Sequence, residues 1–388
     1  MLDFTSALYL GLLHASESVG GWEALTLGRP SAVREPSDAD AIAADVARLQ
    51  GCESGVLLPS TLHLFWDLFR VLGRRKAIVL RDAGAYPIAR WGTERVRAMG
   101  VPVRTFRHHD ASSLEHLVSQ AARQNLKPVV VSDGYCPRCN EVAPIRAYAA
   151  IADRGGGQLV IDDTQALGIL GEAPRVGRPY GGGGGGSLRW GQTYGRHIVV
   201  GSSLAKAFGV PVAVLAGDRE LIDRFRRESE TRVHCSPPSA AVIRAARRAL
   251  EANHSHGEAL RRRLADLVVR LRERLMQAGL TPEGDLPFPV QTFVSPHQPP
   301  ARLHEELRRA GVIGLLTTTC ETSTAGLTFL VTARHRLADI ERVGRAVAHT
   351  AGATAGGFDE DPGESLTRAR GLPARGFTRM ARSSCATS

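Results

Sequence analysis

The stretch Leu159-Val-Ile-Asp162-Asp163-Thr-Gln165-Ala-Leu-Gly168 decides the fold. It begins with a short apolar run typical of a buried strand, and two carboxylates follow at the carboxyl end of that strand. A buried carboxylate is costly unless it has a partner, so an aspartate in this position indicates a bound ligand or a cation. Taken alone, the Asp-Asp pair could equally bind a metal or cap a helix.

A second stretch, Gly201-Ser-Ser-Leu-Ala-Lys206-Ala-Phe-Gly209, directly follows another predicted strand. The chain has three lysines, and Lys76 and Lys127 both precede a strand, at the wrong edge of a sheet for a ligand. Lys206 comes about forty residues after Asp162, and we place it on the strand after next. Its small neighbours leave room for a bulky ring, although a surface lysine in a loop would look similar.

Together, the two stretches predict a pyridoxal-phosphate site. A lysine amine at a strand end can hold the cofactor covalently as a Schiff base, which assigns Lys206 a catalytic role. Asp162 can keep the ring nitrogen of the cofactor protonated, so that the ring withdraws electrons from the α-carbon of a bound amine. Ser202 and Ser203 offer hydroxyl groups to the phosphate of the cofactor.

A third stretch, Val56-Leu-Leu-Pro-Ser60-Thr61-Leu62-His63, predicts a strand that runs into a helix. The amino terminus of a helix attracts anions through its N–H groups and its dipole. Ser60, Thr61 and the backbone of Leu62 are therefore candidates to bind the phosphate. An ordinary helix N-cap would place the same residue types here.

Further apolar runs alternate with helical patterns and predict an α/β fold, with a mainly parallel sheet between two layers of helices. The predicted strands are Ile78 to Leu80, Val129 to Ser132, Leu159 to Ile161, Ile198 to Gly201 and Val212 to Ala216. After about Pro238 the arginine-rich sequence predicts a linker helix into a smaller α+β domain, with strands at Gln291 to Val294 and Leu327 to Thr332.

We divide the chain into four parts on this basis. Residues 1–37 form an amino-terminal segment, residues 38–238 the large cofactor-binding domain, and residues 239–351 the linker helix and the small domain. Residues 352–388 contain few apolar anchors, which predicts a flexible tail. The six glycines Gly181 to Gly186 predict a flexible loop within the large domain.

The composition indicates a globular protein that works in the cytoplasm. The chain is 43% hydrophobic, and its longest apolar runs are too short and too broken to cross a membrane. Its net charge of +10 comes from arginines scattered along helical stretches without interleaved aromatics, which favours a solvated surface over a nucleic-acid site. Cys136 and Cys139 have the spacing of half a zinc site, but the neighbouring sequence supplies no further ligands, so we expect no metal.

The chain resembles the α-oxoamine synthase branch of the fold-type-I pyridoxal-phosphate enzymes, which is related to the class I/II aminotransferases. The resemblance covers roughly residues 3–348. It is carried by Asp3 to Leu12, Ser132-Asp133-Gly134 through Ala143-Pro144-Ile145, Asp162-Asp163-Thr-Gln165, Ser203 through Gly209, Ser236-Pro237-Pro238 and Thr332-Ala-Arg-His335. The resemblance implies a fold-type-I transferase, and a homodimer in which His234 to Pro238 of the neighbouring subunit complete the phosphate pocket.

Several positions depart from the family pattern. Tyr86 stands where the family has a histidine stacked on the cofactor, and an aromatic ring can still stack there. Gln165 replaces a second histidine and can donate a hydrogen bond to the cofactor, but it cannot carry a proton near neutral pH. The resemblance also implies that Asp133 contacts the cofactor. Ala7 and Thr328 replace an asparagine and an arginine that usually bind the carboxylate of the substrate.

Three functions are consistent with this sequence. The overall resemblance favours a transferase that joins an amino substrate to the acyl group of a thioester at the α-carbon. The two missing histidines favour an aminotransferase, or another enzyme acting at the α-carbon. A non-catalytic binding protein on the same scaffold, using its basic surface for nucleic acid, would have no reason to retain both Lys206 and Asp162. We therefore expect small-molecule substrates, with neither nucleic acid nor a membrane as a partner.

Overall fold

The computed structural model of the chain describes residues 1–73, 76–296, 298–318 and 325–350. Its strands are β1 (Leu2–Asp3), β2 (Ser54–Leu58), β3 (Ala77–Asp82), β4 (Val103–Phe106), β5 (Lys127–Asp133), β6 (Tyr135–Cys136), β7 (Glu141–Val142), β8 (Gln158–Asp162), β9 (Ile198–Ser203), β10 (Ala213–Gly217), β11 (Thr281–Pro282), β12 (Val290–Val294), β13 (Val312–Ile313), β14 (Leu315–Thr318) and β15 (Ala325–Leu330). Its helices are α1 (Ser16–Val19), α2 (Ala39–Gln50), α3 (Thr61–Leu72), α4 (Pro87–Ala98), α5 (Ala111–Arg123), α6 (Ile145–Arg154), α7 (Ser187–Trp190), α8 (Arg219–Glu228), α9 (Glu230–His234), α10 (Ala240–Gln277), α11 (Pro300–Arg309) and α12 (Leu337–Thr350).

A seven-stranded sheet lies within the part of the chain predicted to form the large domain, in the order β2-β10-β9-β8-β5-β3-β4. Strands β9, β8, β5, β3 and β4 all run parallel to one another. Strand β10 runs antiparallel to both β9 and β2. Strand β2 therefore points the same way as β9, and its carboxyl end lies at the same edge of the sheet as the ends of β3, β5 and β8. The predicted α/β fold with a mainly parallel sheet is confirmed.

Both faces of this sheet are covered because alternate side chains of each strand enter different cores. In β8, Leu159 and Ile161 pack into one apolar cluster and Val160 into the other. The cluster on the Val160 side contains the apolar face of α3, including Leu64 and Phe65. Asp162 continues the alternation of β8 two residues after Val160, which directs its side chain toward the α3 face of the sheet.

A second, antiparallel sheet has the order β11-β12-β15-β14, and the two strands predicted for the small domain correspond to β12 and β15. The predicted linker helix is the 38-residue helix α10. Leu264, Leu267, Leu271 and Leu275 lie buried on one side of it because they recur at helical spacing. At the start of the chain β1 pairs with β13, so the amino-terminal segment packs against this domain.

One detail of the sequence-based predictions is wrong. Strand β9 is the next strand of the large sheet after β8 and pairs with it directly, so Lys206 does not follow the strand after next. In the glycine-rich stretch Gly181 to Gly186, backbone hydrogen bonds join Gly182 to Glu172 and Gly186 to Leu170 at 2.7 to 2.8 Å.

Two further expectations concern the ends of the chain and the membrane. The predicted tail, residues 352–388, lies outside the described residues. Within the described ranges, every helix is too short or too polar to span a membrane.

Candidate active site

The carboxyl ends of neighbouring strands bring the predicted site residues to one edge of the large sheet. In the strand register, Asp133 of β5 lies beside Asp162 of β8, and Asp162 lies beside Gly201 of β9. Strand β9 ends at Ser203, and Lys206 follows in the turn after it. The lysine and the aspartate that were predicted from separate stretches therefore share one strand edge.

Lys206 and Asp162 perturb each other electrostatically in a largely buried setting. Burial lowers the pKa of the Lys206 amine, and the charge of Asp162 partly opposes that effect. Burial raises the pKa of Asp162, while hydrogen bonds from Thr164 and the charge of Lys206 lower it. An amine with a lowered pKa is more often neutral and nucleophilic, as covalent attachment of an aldehyde requires.

Thr164 connects the strand of the aspartate to the strand of the lysine. Its backbone N–H donates to Asp162 Oδ1 at 3.0 Å, and its hydroxyl oxygen accepts from the backbone N–H of Ser203 at 3.1 Å. These two bonds fix the Asp162 carboxylate relative to the end of β9. Thr164 was not among the predicted site residues, although a residue two positions after a strand-end aspartate commonly forms such a local hydrogen-bonded turn.

Asp133 and Tyr86 lie together beside Asp162. The backbone N–H of Tyr86 donates to Asp133 Oδ1 at 3.1 Å. Burial raises the pKa of Asp133, and repulsion from Asp162 on the neighbouring strand raises it further. Tyr86 is 51% exposed, so its ring is not enclosed by the protein.

Gln165 is held by a residue from the far amino terminus of the chain. The hydroxyl group of Tyr9 donates to Gln165 Oε1 at 2.6 Å. Tyr9 is buried, and burial raises the pKa of its phenol, so the hydroxyl keeps its proton. Because the amide oxygen accepts this bond, the amide nitrogen of Gln165 is left as the group that can donate to a ligand.

The amino terminus of α3 lies at the same sheet edge as β9. Ala213 of β10 pairs with Leu58 of β2 on one side and with Ser203 of β9 on the other, so the two strand ends are level. The N-cap of α3 is Ser60, whose hydroxyl bonds to His63 Nδ1 at 2.8 Å instead of capping the backbone. The first-turn N–H groups, including those of Thr61 and Leu62, thus face the sheet edge with the dipole that an anion prefers.

The two serines before Lys206 have different surroundings. Ser202 is completely buried, and its hydroxyl oxygen accepts from Gln50 Nε2 at 2.8 Å. The Ser203 side chain turns to the other side of β9, and its hydroxyl oxygen accepts from the N–H of Ala205. The two predicted phosphate-binding hydroxyls therefore lie on opposite sides of β9, Ser203 on the same side as the Asp162 side chain.

Asp163 points away from this edge into the protein interior. Its carboxylate accepts from the hydroxyl of Ser187 at 2.5 Å and from the backbone N–H of Ser187 at 3.0 and 3.2 Å. Gly186 has φ of 90°, and a Cβ atom there would lie 1.9 Å from Asp163 Oδ2, so only glycine fits. The second aspartate thus anchors the glycine-rich loop, a role that the sequence did not indicate.

The raised pKa of Asp163 predicts a pH-dependent stability. Burial raises this pKa from 3.8 to about 7, so between these values the folded chain binds more protons than the unfolded chain. The free energy of unfolding should therefore decrease as the pH rises through this window. Because Asp163→Asn does not titrate, its stability relative to the parent chain should improve by about 1 to 3 kcal/mol between about pH 5 and pH 8. Urea titrations at several pH values measure the difference, and a difference that stays constant would contradict the assignment.

The positions that replace the family's carboxylate-binding residues are not cationic. Thr328 is buried, and its hydroxyl bonds to the hydroxyls of Thr292 and Thr317 at 2.7 Å each. Ala7 has no polar side chain. Neither residue can bind a carboxylate through its side chain as the arginine and asparagine do in the family.

The donor groups at this edge fit pyridoxal phosphate. A buried amine with a lowered pKa suits its aldehyde, a buried carboxylate suits a protonated ring nitrogen, and a helix amino terminus suits its phosphate. These three kinds of group belong to elements whose ends meet at one sheet edge.

Comparisons with known proteins agree with this fit. The family described as aminotransferase class I and II matches residues 69–310. The 8-amino-7-oxononanoate synthase of Halorhodospira halophila is 30% identical over 317 residues, which are 80% of this chain and 74% of that protein.

Solved structures share the fold at low sequence identity. The serine palmitoyltransferase of Sphingomonas wittichii superposes with a TM-score of 0.78 at 14% identity, over 90% of this chain and 87% of that chain. The 8-amino-7-oxononanoate synthase of Francisella tularensis gives a TM-score of 0.70 at 15% identity, over 90% and 97%.

Proposed function

Since this chain belongs to the aminotransferase class I and II family, in its α-oxoamine synthase branch, we propose that it is a pyridoxal-phosphate-dependent transferase. Its substrates are an amino compound and an acyl thioester, and it forms a carbon–carbon bond at the α-carbon of the amino compound. The observation that carries the proposal is the placement of Lys206 and Asp162 on adjacent strand ends, level with the amino terminus of α3.

Each residue of the sheet edge has a defined task in this proposal. When bound, pyridoxal phosphate supplies a ring that stabilises negative charge at the α-carbon of the amino substrate. Lys206 would hold the cofactor covalently and would move the proton of the α-carbon. Asp162 keeps the proton on the ring nitrogen. The amide nitrogen of Gln165 would donate to the cofactor, and the ring of Tyr86 would stack on it.

The phosphate would bind at the first turn of α3, with the hydroxyls of Ser60, Thr61 and Ser203 as further ligands. Asp133 would stay at the side of the ring, where its bond to the N–H of Tyr86 holds the stacking residue in place. The neutral threonines around Thr328 support an amino substrate whose carboxylate is bound differently from that of the family's usual substrates.

A second candidate is an aminotransferase, and Gln165 is the observation that favours it. The amide cannot carry a proton near neutral pH, and Tyr9 holds it in one orientation. Proton transfer during carbon–carbon bond formation would then depend on Lys206 alone. An aminotransferase needs only that lysine for its proton transfers at the α-carbon.

Mixing the holoenzyme with a panel of amino acids, with and without an acyl thioester, separates the two functions. We expect thiol release that requires both the amino acid and the thioester. The Lys206→Ala variant serves as the control for spontaneous thioester hydrolysis. A cofactor that is converted to its amine form by the amino acid alone, and restored by a keto acid, would establish the aminotransferase instead.

We also propose that the enzyme is a homodimer whose subunits complete each other's phosphate pockets, with His234 to Pro238 as the contributed segment. Closed two-fold dimers are the commonest protein oligomers. Sedimentation of the holoenzyme at assay concentration should therefore give the mass of two chains. An active species with the mass of one chain would contradict the shared site.

The cytoplasm is the compartment that we propose. Cys52, Cys136, Cys139 and Cys235 are not joined in disulfides, which suits a reducing environment. The thioester substrate would be met in the same compartment.

A further inference from the structure

A cluster of imidazole and thiol groups lies beyond the cofactor residues, near the outer strands of the large sheet. His108 and His109 follow the edge strand β4, and Cys139 lies in the turn between β6 and β7. One ligand atom from each of the three residues lies within 4.8 Å of the other two. The two imidazole rings are stacked, with their centroids 3.8 Å apart.

His108 is oriented as a metal-binding histidine usually is. Its Nδ1 bonds to Asp82 Oδ1 at 2.6 Å, and its Nε2 lies 3.4 Å from Cys139 Sγ. Asp82 is almost completely buried and also accepts from the backbone N–H of His109 at 3.2 Å. A carboxylate on one ring nitrogen fixes the tautomer and leaves the lone pair of the other nitrogen for a metal.

His109 has two features that its neighbours in the fold do not explain. Its backbone has φ of 53°, a conformation that costs energy for a non-glycine residue. Its Nε2 atom is buried and has no hydrogen-bond partner, which is also costly. The Nδ1 atom of the same ring lies 3.6 Å from Glu141 Oε2, so a carboxylate stands beside the cluster.

We propose that His108, His109 and Cys139 bind a structural Zn²⁺ ion, and that the neighbouring Glu141 carboxylate moves toward this group of three to become the fourth ligand. Two nitrogens, one sulfur and one carboxylate oxygen make a tetrahedral ligand set that zinc accepts. Around zinc, nitrogen and sulfur ligands lie about 3.6 Å apart, close to the separation between His108 Nε2 and Cys139 Sγ. The atoms of His108, His109 and Cys139 lie within 4.8 Å of one another, so their separations would close by at most about one ångström on binding. Cys139 would bind as the thiolate and release its proton to solvent.

The proposed ligands come from two separate stretches of the sequence. The Cys-Pro-Arg-Cys stretch supplies Cys139, with Glu141 two residues later, and the two histidines come from a strand end about thirty residues earlier. Strands β5, β3 and β4 lie side by side in the large sheet. The histidines follow β4 and the turn with Cys139 comes shortly after β5, so the sheet brings the two parts together. The expectation that this chain binds no metal is therefore one that we revise.

The ion would tie together the loops that surround the cofactor site. Asp82 ends β3, and the loop after it leads through Gly84 to Tyr86. A Cβ atom at Gly84 would lie 2.2 Å from His108 Nδ1, so this loop passes directly over the imidazole. The Arg138 side chain donates to the carbonyl oxygen of Gly84 at 3.2 Å. Zinc would thus hold the turn containing Cys139 against the loop of Tyr86, independently of the reaction at Lys206.

Metal analysis of the holoenzyme tests the site. After dialysis against Zn²⁺ and then buffer, the parent chain should retain about one zinc per chain, and X-ray absorption should show one sulfur near 2.3 Å with lighter ligands near 2.0 Å. Cys139→Ser and His109→Asn should each retain less than about a tenth as much. A chelator should lower the melting temperature of the parent chain and leave that of both variants unchanged.

The His109→Asn variant is included because asparagine tolerates the left-handed backbone, so it should fold even if Cys139→Ser does not. His116→Gln, on the exposed face of α5, is the matched control and should keep its zinc. Retention of zinc by both ligand variants would overturn the proposal, as would its loss from His116→Gln. Selective uptake of copper from a zinc and copper mixture would also overturn the assignment to zinc.

Discussion

Lys206→Ala is expected to abolish both turnover and the covalent attachment of pyridoxal phosphate. Lys206 follows the strand end beside Asp162, and burial lowers the pKa of its amine. Without that amine the aldehyde of the cofactor has no nucleophile at the sheet edge, so the rate should fall by about a thousandfold or more. Borohydride reduction followed by peptide mass spectrometry should locate the cofactor on Lys206 in the parent chain and nowhere in the variant.

The other two lysines provide the control for this experiment. Lys127 begins β5, at the opposite edge of the sheet, and its backbone N–H donates to the carbonyl oxygen of Lys76. Lys127→Ala should therefore bind the cofactor and turn over like the parent chain. Recovery of the reduced cofactor on Lys76 or Lys127 would show that the covalent site has been assigned to the wrong lysine.

Asp162→Asn is expected to reduce the rate by about a hundredfold or more while weakening cofactor binding less. The substitution keeps the shape of the side chain and its bond from the N–H of Thr164. It removes the negative charge that would keep a proton on the ring nitrogen, and the ring then withdraws electrons poorly. Single-turnover rates with the best amino substrate, together with cofactor titration, separate the two effects.

Asp163→Asn is the matched control because it removes a carboxylate one residue away. Its carboxylate bonds to Ser187 in the interior instead of facing the sheet edge. We expect a change in stability with little change in the rate per folded molecule. If Asp163→Asn lowered the rate strongly and Asp162→Asn did not, the register of the whole cofactor site would have to shift by one residue.

The cofactor edge could be predicted because its signals are local in sequence. An apolar run that ends in an aspartate, or in a small-residue turn with a lysine, indicates both a strand and the edge where it stops. The predicted strands around Asp162 and Lys206 therefore agree with β8 and β9. The fold followed from the alternation of such runs with helical patterns.

The supporting contacts could not be predicted because they join residues far apart in the sequence. Tyr9 meets Gln165 and Gln50 meets Ser202 only after the sheet and its layers have assembled. A serine before a strand end looks the same in sequence whether its hydroxyl faces a ligand or the core. The same limitation applies to His109, whose value as a metal ligand depends on the turn that contains Cys139.

The pairing of β1 with β13 has a consequence for the order in which the protein is completed during synthesis. Leu2 leaves the ribosome about three hundred residues before Val312, its partner in the register. The large domain can therefore collapse while the first strand still lacks its neighbour. Tyr9 lies a few residues after that strand, so its bond to Gln165 should be among the last contacts to form. A newly made chain would then acquire its complete cofactor edge only after the small domain has emerged.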